Sequence, residues 1–236
     1  NSTDSSGGNN GGTLEDFPDG FSENGVSNFE TALGEGSAYR SQPHIQIERE
    51  SVQMSEDQTN TVIYLAQIDA EAERRLINFE TADGELSETQ YSTEDMVYVR
   101  EVQGEGDPQY QVEGSSFNRV TGDIFTIEQR VAGEVEFESE RTEQGLIRYT
   151  ATKESYPEDH PIRDLYSFNV PDATIDVVLE IDEAGLPRIF STRYENEEFS
   201  EELASNVEVL SGTIPAGSVP EGVPGTFPLR LELTES

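Results

Sequence analysis

The sequence predicts an α+β, mostly β protein. It is expected to form a single large curved antiparallel sheet, a half β-barrel, with two or three short helices on its concave face. Three observations point there. Apolar and polar residues alternate at a period of two, the mark of half-buried strands, in about ten segments. Those segments follow one another through short turns rich in Gly, Asp and Pro, which favours sequential hairpins. Only a few stretches change to helical spacing, and they fall between the strands.

The elements follow in order. Residues 1–12 read NSTDSSGGNNGG, without an apolar residue, so residues 1–13 are expected to form a flexible tether and residues 14–236 a single half-barrel domain. Phe17-Pro18-Asp19-Gly20-Phe21 reads as a turn. Val26, Phe29 and Leu33, at i, i+3 and i+7, predict a helix that Gly34 and Gly36 stop. Residues 38–51 read as a strand with Ile45 and Ile47 on one face and Gln46 and Glu48 on the other. In residues 60–69, Val62, Tyr64 and Ala66 alternate with Ile63, Leu65 and Gln67. Residues 75–82 place Ile77 and Phe79 inward, and residues 96–102 and 110–112 continue the series.

A second helix is expected over residues 118–133, with Ile124, Phe125, Ile127 and Val131 facing inward. Glu134, Glu136, Glu138 and Glu140 then point one way and Val135 and Phe137 the other, the pattern of a strand wet on one side. Gly145 turns the chain into residues 146–152. Residues 156–168, with Pro157 and Pro161, read as an irregular crossing. Ile175, Val177, Leu179 and Ile181 alternate with polar partners, and the turn at residues 182–185 leads into a strand over 187–194. Phe199 and Leu203, at i and i+4, predict a short helix in residues 195–205. Residues 213–226 form a Pro/Gly loop, and Phe227, Leu229, Leu231 and Leu233 alternate in a closing strand. No repeat of solenoid or propeller length is present.

Charge is the second theme. Asp and Glu number 49 against 14 Lys plus Arg, for a formal net charge of -35. Charged residues make up 27% of the chain, near the ordinary ~25%, so the anomaly is one of sign. Lys153 is the only lysine. Such a chain repels itself in dilute buffer, whereas at 1 M salt the Debye length falls to about 3 Å and the repulsion is screened. The composition therefore predicts a halophilic, archaeal protein; an acidic protein of ordinary habitat is the alternative. The acidic surface argues against nucleic acid as a partner. The absence of Cys excludes disulfides, thiolate metal sites and a thiol nucleophile.

Catalytic signals are sparse. There are two histidines: His44 reads as a surface residue, and His160 stands beside Glu158, Asp159 and Asp164 without metalloprotease spacing. No nucleophile elbow or phosphate-binding loop occurs. No catalytic residue, metal or cofactor is assigned, and the protein is not expected to be an enzyme. An enzyme would need a cleft, the best candidate being around His160, Glu158 and Asp164.

Phe17-Pro18-Asp19-Gly20-Phe21-Ser22-Glu23-Asn24-Gly25-Val26, followed by a helix and Ser37-Ala38-Tyr39-Arg40, resembles a group of uncharacterised haloarchaeal lipoproteins. YSTEDMVYVR at residues 91–100 and the hairpin pattern of residues 173–194 resemble two further stretches of that group. The order of elements is similar to the lipoprotein-carrier fold of LolA and LppX, a half barrel whose concave side is plugged by helices. The resemblance implies binding or carriage of a lipid or other apolar small molecule in a cavity between sheet and helices. It also implies a location at the cell surface, tethered to the outer face of the membrane by an N-terminal lipid anchor on a Cys that this chain does not contain. A monomer is expected.

On this reading Phe29, Leu33, Ile45, Ile47, Ile77, Phe79, Val135, Phe137, Ile175, Val177 and Leu179 would line the apolar cavity. The alternative is a non-catalytic cell-surface interaction or structural module with a closed core, since a filled core requires the same alternation.

Overall fold

The computed structural model describes residues 16–34, 36–38, 40–55, 58–71, 73–93, 96–114, 131–154, 174–196 and 199–209. Phe21 N donates to Pro18 O (3.0 Å), closing the expected first turn. A small hairpin of β1 (Phe21–Ser22) and β2 (Gly25–Val26) follows, then α1 (Phe29–Ala32). Next come β3 (His44–Ser55), β4 (Gln58–Asp69), β5 (Arg74–Thr81), β6 (Leu86–Ser92), β7 (Met96–Gln103) and β8 (Gln109–Gly114). The remaining strands are β9 (Glu138–Arg141), β10 (Ile147–Lys153), β11 (Thr174–Ile181), β12 (Pro187–Glu195) and β13 (Phe199–Val209).

Eleven strands, β3 to β13, form one antiparallel sheet in the order β8-β7-β6-β5-β4-β3-β13-β12-β11-β10-β9. It consists of two meanders, β3–β8 and β9–β13, joined where β13 pairs with β3 from Phe199↔Ser55 to Val209↔Ile45. Among the described residues the sheet is open, with β8 and β9 as its outermost strands. The chain between those strands therefore passes from one edge of the sheet to the other; of that passage residues 131–137 are described.

Strand registers assign every side chain to a face. Ile45 and Ile47 of β3, Val207, Ser205 and Leu203 of β13, Phe190 and Thr192 of β12, Val177, Leu179 and Ile181 of β11, and Ile147 and Tyr149 of β10 share one face, here called the core face. Phe21, Ala32, Leu33, Val131, Ala132 and Phe137 join them in a single buried cluster. Tyr149 anchors this packing: the rings of Phe21 and Phe137 lie 5.8 Å from it and that of Phe17 6.5 Å. Gly25 permits the approach of the small hairpin. Its φ is +106°, and a Cβ there would fall 2.3 Å from Phe137 Cδ2.

On the opposite face, Arg148 reaches across to the neighbouring strand: its Nε donates to Glu180 Oε1 (2.6 Å), and its Nη2 makes an ion-pair contact with the same oxygen at 2.5 Å. Glu180 is buried, so the guanidinium supplies the counter-charge its carboxylate needs.

Several expectations are corrected. The segment 195–205 is not a helix but part of β13, a central strand. Phe199 and Leu203 are four apart, a spacing that fits a period of two as well as 3.6; Leu203, Ser205 and Val207 continue the alternation, and ladders on both sides bind the backbone. The first helix is only four residues long. Val26 belongs to β2, because Ser27 N and Asn28 N both donate to Gly20 O and commit the chain to a turn. Asn28 then caps α1, its Oδ1 accepting from Thr31 N (3.3 Å). Val135 and Phe137 precede β9 rather than lying in it. The strand β6 was not anticipated. His44 is buried rather than on the surface; its Nε2 lies 3.3 Å from Asp69 Oδ1 without hydrogen-bond alignment. The expected tether, the segments 118–130, 156–168 and 213–236, and the trio His160, Glu158 and Asp164 lie outside the described residues.

Candidate ligand-binding groove

The core face changes character across the β3/β13 ladder. On β10–β13 it is closed by the aromatic cluster above. On β3–β6 it carries a groove of about 400 Å³ lined by Arg49, Tyr64, Ile77, Phe79, Leu86, Glu88 and Gln90. Registers explain why these seven meet. Arg49 stands opposite Tyr64, Tyr64 opposite Phe79 and Phe79 opposite Glu88, so the four form one transverse row across four strands. Ile77 and Gln90 form the row on one side, and Leu86 flanks the other.

The groove is amphipathic. Tyr64 and Phe79 pack edge to face with ring centroids 5.0 Å apart, making an apolar floor. Arg49 brings a cation to one end of the row. Glu88 brings a carboxylate to the other, where Gln90 Nε2 donates to its Oε1 (2.6 Å). Burial pushes the Tyr64 phenol above its usual range; Arg49 pulls it back and Glu88 adds to the rise. The phenol therefore stays neutral at ordinary pH. The volume lies within the ~300–1,000 Å³ typical of small-molecule sites.

Beside the groove, the closed half holds polar atoms without partners. Ser205 Oγ, Thr192 Oγ1 and Tyr149 Oη are buried and make no hydrogen bond. Burial drives the Tyr149 phenol strongly upward, with no compensating charge. This gives a prediction with a definite sign. A raised phenol contributes stability that is fully present below the unfolded value near ~10 and is lost as pH climbs through the folded value. Tyr149→Phe is expected to shift the alkaline unfolding midpoint to higher pH. At neutral pH it should leave stability unchanged or raise it by about 1 kcal/mol, because an unsatisfied buried hydroxyl is removed. Circular dichroism across pH 8–12 checks this; a neutral-pH loss above ~1 kcal/mol would mean that Tyr149 Oη has a partner.

The structure distributes the eleven sequence-predicted lining residues unevenly. Ile77 and Phe79 line the groove. Leu33, Ile45, Ile47, Phe137, Ile175, Val177 and Leu179 are buried in the aromatic and aliphatic cluster, and Val135 packs at its margin. Phe29 is 37% exposed and stands apart from it. Sequence reasoning missed Arg49, Leu86, Glu88 and Gln90 as groove residues, and placed Tyr64 on a strand without giving it a role. For Arg49 a signal existed: an arginine at the position where Ile45 and Ile47 predict the next inward side chain.

A second depression, about 450 Å³, involves side chains of the opposite face: Ile63, Leu65 and Ala204 beside Glu48, Glu50 and Asn206. Ile63 is 49% exposed there. Among the described residues no group of His, Asp or Glu is arranged to hold a metal, and no helix is long and apolar enough to cross a membrane. Comparison with protein-family models and with curated proteins gives no match.

Proposed function

We propose that this chain is the binding domain of an extracytoplasmic halophile lipoprotein that holds a lipid or other apolar ligand against the core face of its sheet. On this reading the sheet is curved as a half barrel, the segments packed on it act as the plug, and a lipid anchor ahead of residue 1 tethers it to the outer face of the membrane. The observation that carries the reading is the groove of Arg49, Tyr64, Ile77, Phe79, Leu86, Glu88 and Gln90. It opens on the same face as the core, where apolar burial at about 25 cal/mol per Å² rewards capture of a hydrocarbon. The mechanism is passive: the ligand exchanges water-exposed surface for the Tyr64–Phe79 floor, and no bond is made or broken.

The test is native mass spectrometry with lipid extraction, on protein purified at high salt from its own host. A co-purifying lipid in stoichiometric amount is the expected result. An apo mass, together with no uptake of lipid from vesicles, would sink the proposal. It would favour a non-catalytic cell-surface interaction module, for which the exposed Ile63 beside Leu65 and Ala204 is the one specific support.

A further inference from the structure

Glu88 is the one carboxylate among the residues that line the groove. It stands directly opposite Phe79 across the β5/β6 ladder. Directly opposed residues on one face stand about 5 Å apart, so the carboxylate borders the Tyr64–Phe79 floor. Tyr64 and Phe79 are half-buried, which leaves part of their surface open to the groove. The Glu88 carboxylate accepts from the uncharged Gln90 and joins none of the ion pairs among the described residues. Arg49 stands three strands away, at roughly 4.8 Å per strand, and has an interaction of its own within the chain. Glu101, opposite Glu88 on β7 and outside the groove lining, deepens the negative potential at that end. Aromatic surface and an uncompensated carboxylate thus meet at one end of an apolar groove.

We infer that the groove selects amphiphiles with a quaternary ammonium head, seated between Glu88 and the Phe79 ring, with the hydrocarbon lying over Tyr64 and Ile77. The inference rests on the lipid-binding reading above and adds the head-group class. A cation within about 6 Å of an aromatic ring centre is drawn to the ring face, and a carboxylate alongside adds a charge contact. The head is methylated because the surroundings of Glu88 are largely carbon: Phe79 faces it and Leu86 shares its strand face. A bare ammonium has three donors to satisfy, whereas methyl groups pack on carbon and leave the charge in place. Glu88 is half-buried, so concentrated salt screens this contact less than an exposed one. Arg49 repels a cation at the far end of the row, so the ligand has one orientation.

The test is fluorescence titration of the full chain in ~2 M KCl, where screening leaves only close contacts. The probes are dansyl-labelled alkyl chains of equal length, one ending in trimethylammonium and the other in its uncharged tert-butyl isostere. The ammonium is expected to bind about tenfold more tightly, the joint effect of one carboxylate contact and one ring face. Glu88→Gln should remove most of that preference through lost affinity for the ammonium alone. Phe79→Leu keeps an apolar floor without a ring face; it should lower the ratio by a smaller factor and leave the isostere's affinity nearly unchanged. Glu88→Asp should keep part of the preference, which a purely structural role for Glu88 would not produce. Glu202→Gln, on the opposite face, should change neither affinity. An unchanged ratio in Glu88→Gln would place the cation elsewhere and overturn the inference. Equal binding of the two probes by the unaltered chain, or tighter binding of a dansyl-labelled fatty acid, would overturn the head-group inference and leave the groove reading standing. Absence of binding by all three would overturn the two together. Tetramethylammonium displacing the labelled ammonium at matched concentration would show a cation site with no role for the hydrocarbon, and would also overturn it.

Discussion

Replacing Phe190 by Ala is expected to cost about 3–5 kcal/mol, the range for truncating a buried aromatic. For a chain of this size that lowers the unfolding midpoint by about 10 °C. Phe190 is buried on the core face of β12, between Leu179 on β11 and Ser205 on β13. Its ring therefore lies where the closed half of the sheet meets the β3/β13 ladder. Thermal denaturation at high salt measures the effect. A loss below ~1 kcal/mol would mean that the ring has room to spare, and that the space assigned to packed core belongs to the ligand. The same experiment thus separates a filled C-terminal half from a cavity spanning both halves.

Lowering KCl from ~2 M to ~0.05 M, which stretches the Debye length from a few ångströms to beyond 10 Å, is expected to destabilise the protein enough to unfold it at room temperature. With a net charge of -35, the folded state gathers charges that the unfolded chain spreads apart. One contribution is local and removable: Glu88 on β6 stands directly opposite Glu101 on β7, a like-charge pair on the core face. The double variant Glu88→Gln, Glu101→Gln is expected to unfold at a lower salt concentration than the parent. Circular dichroism against salt measures both, with chloride preferred over sulfate because sulfate also strengthens apolar burial. A midpoint that does not move over this range would count against a protein adapted to brine.

Strand existence was legible where alternation was strict. Ile45 and Ile47, Ile77 and Phe79, and Ile175 to Ile181 each told which face goes inward, because a half-buried strand leaves no other arrangement for an apolar row. β6 was not legible: Leu86-Ser87-Glu88-Thr89-Gln90-Tyr91-Ser92 holds two large apolar residues, and its inward face ends in the Glu88 and Gln90 of the groove. β13 was misread because two apolar residues four apart satisfy both periods. The groove was legible by halves. Ile77 and Phe79 announced an inward face, but their meeting with Arg49, Tyr64 and Glu88 depends on three registers that no single strand encodes. Partner choice between distant strands is a tertiary fact. Nothing local in residues 44–55 or 199–209 says that these two segments will pair.

That pairing governs when the protein can become itself. β3 is among the first strands to be made and β13 is the last described, so the ladder at the centre of the sheet closes only after almost all the described chain exists. Until then β3 presents a twelve-residue edge with its backbone donors and acceptors unmatched, an invitation to any other strand. Loops of such length close late, and sheets built on them assemble slowly. Glu48 and Glu50 lie on that waiting edge, and two copies approaching each other there must bring carboxylates together. The acidity that burdens the finished fold in dilute buffer thus acts as a chaperone built into the nascent chain.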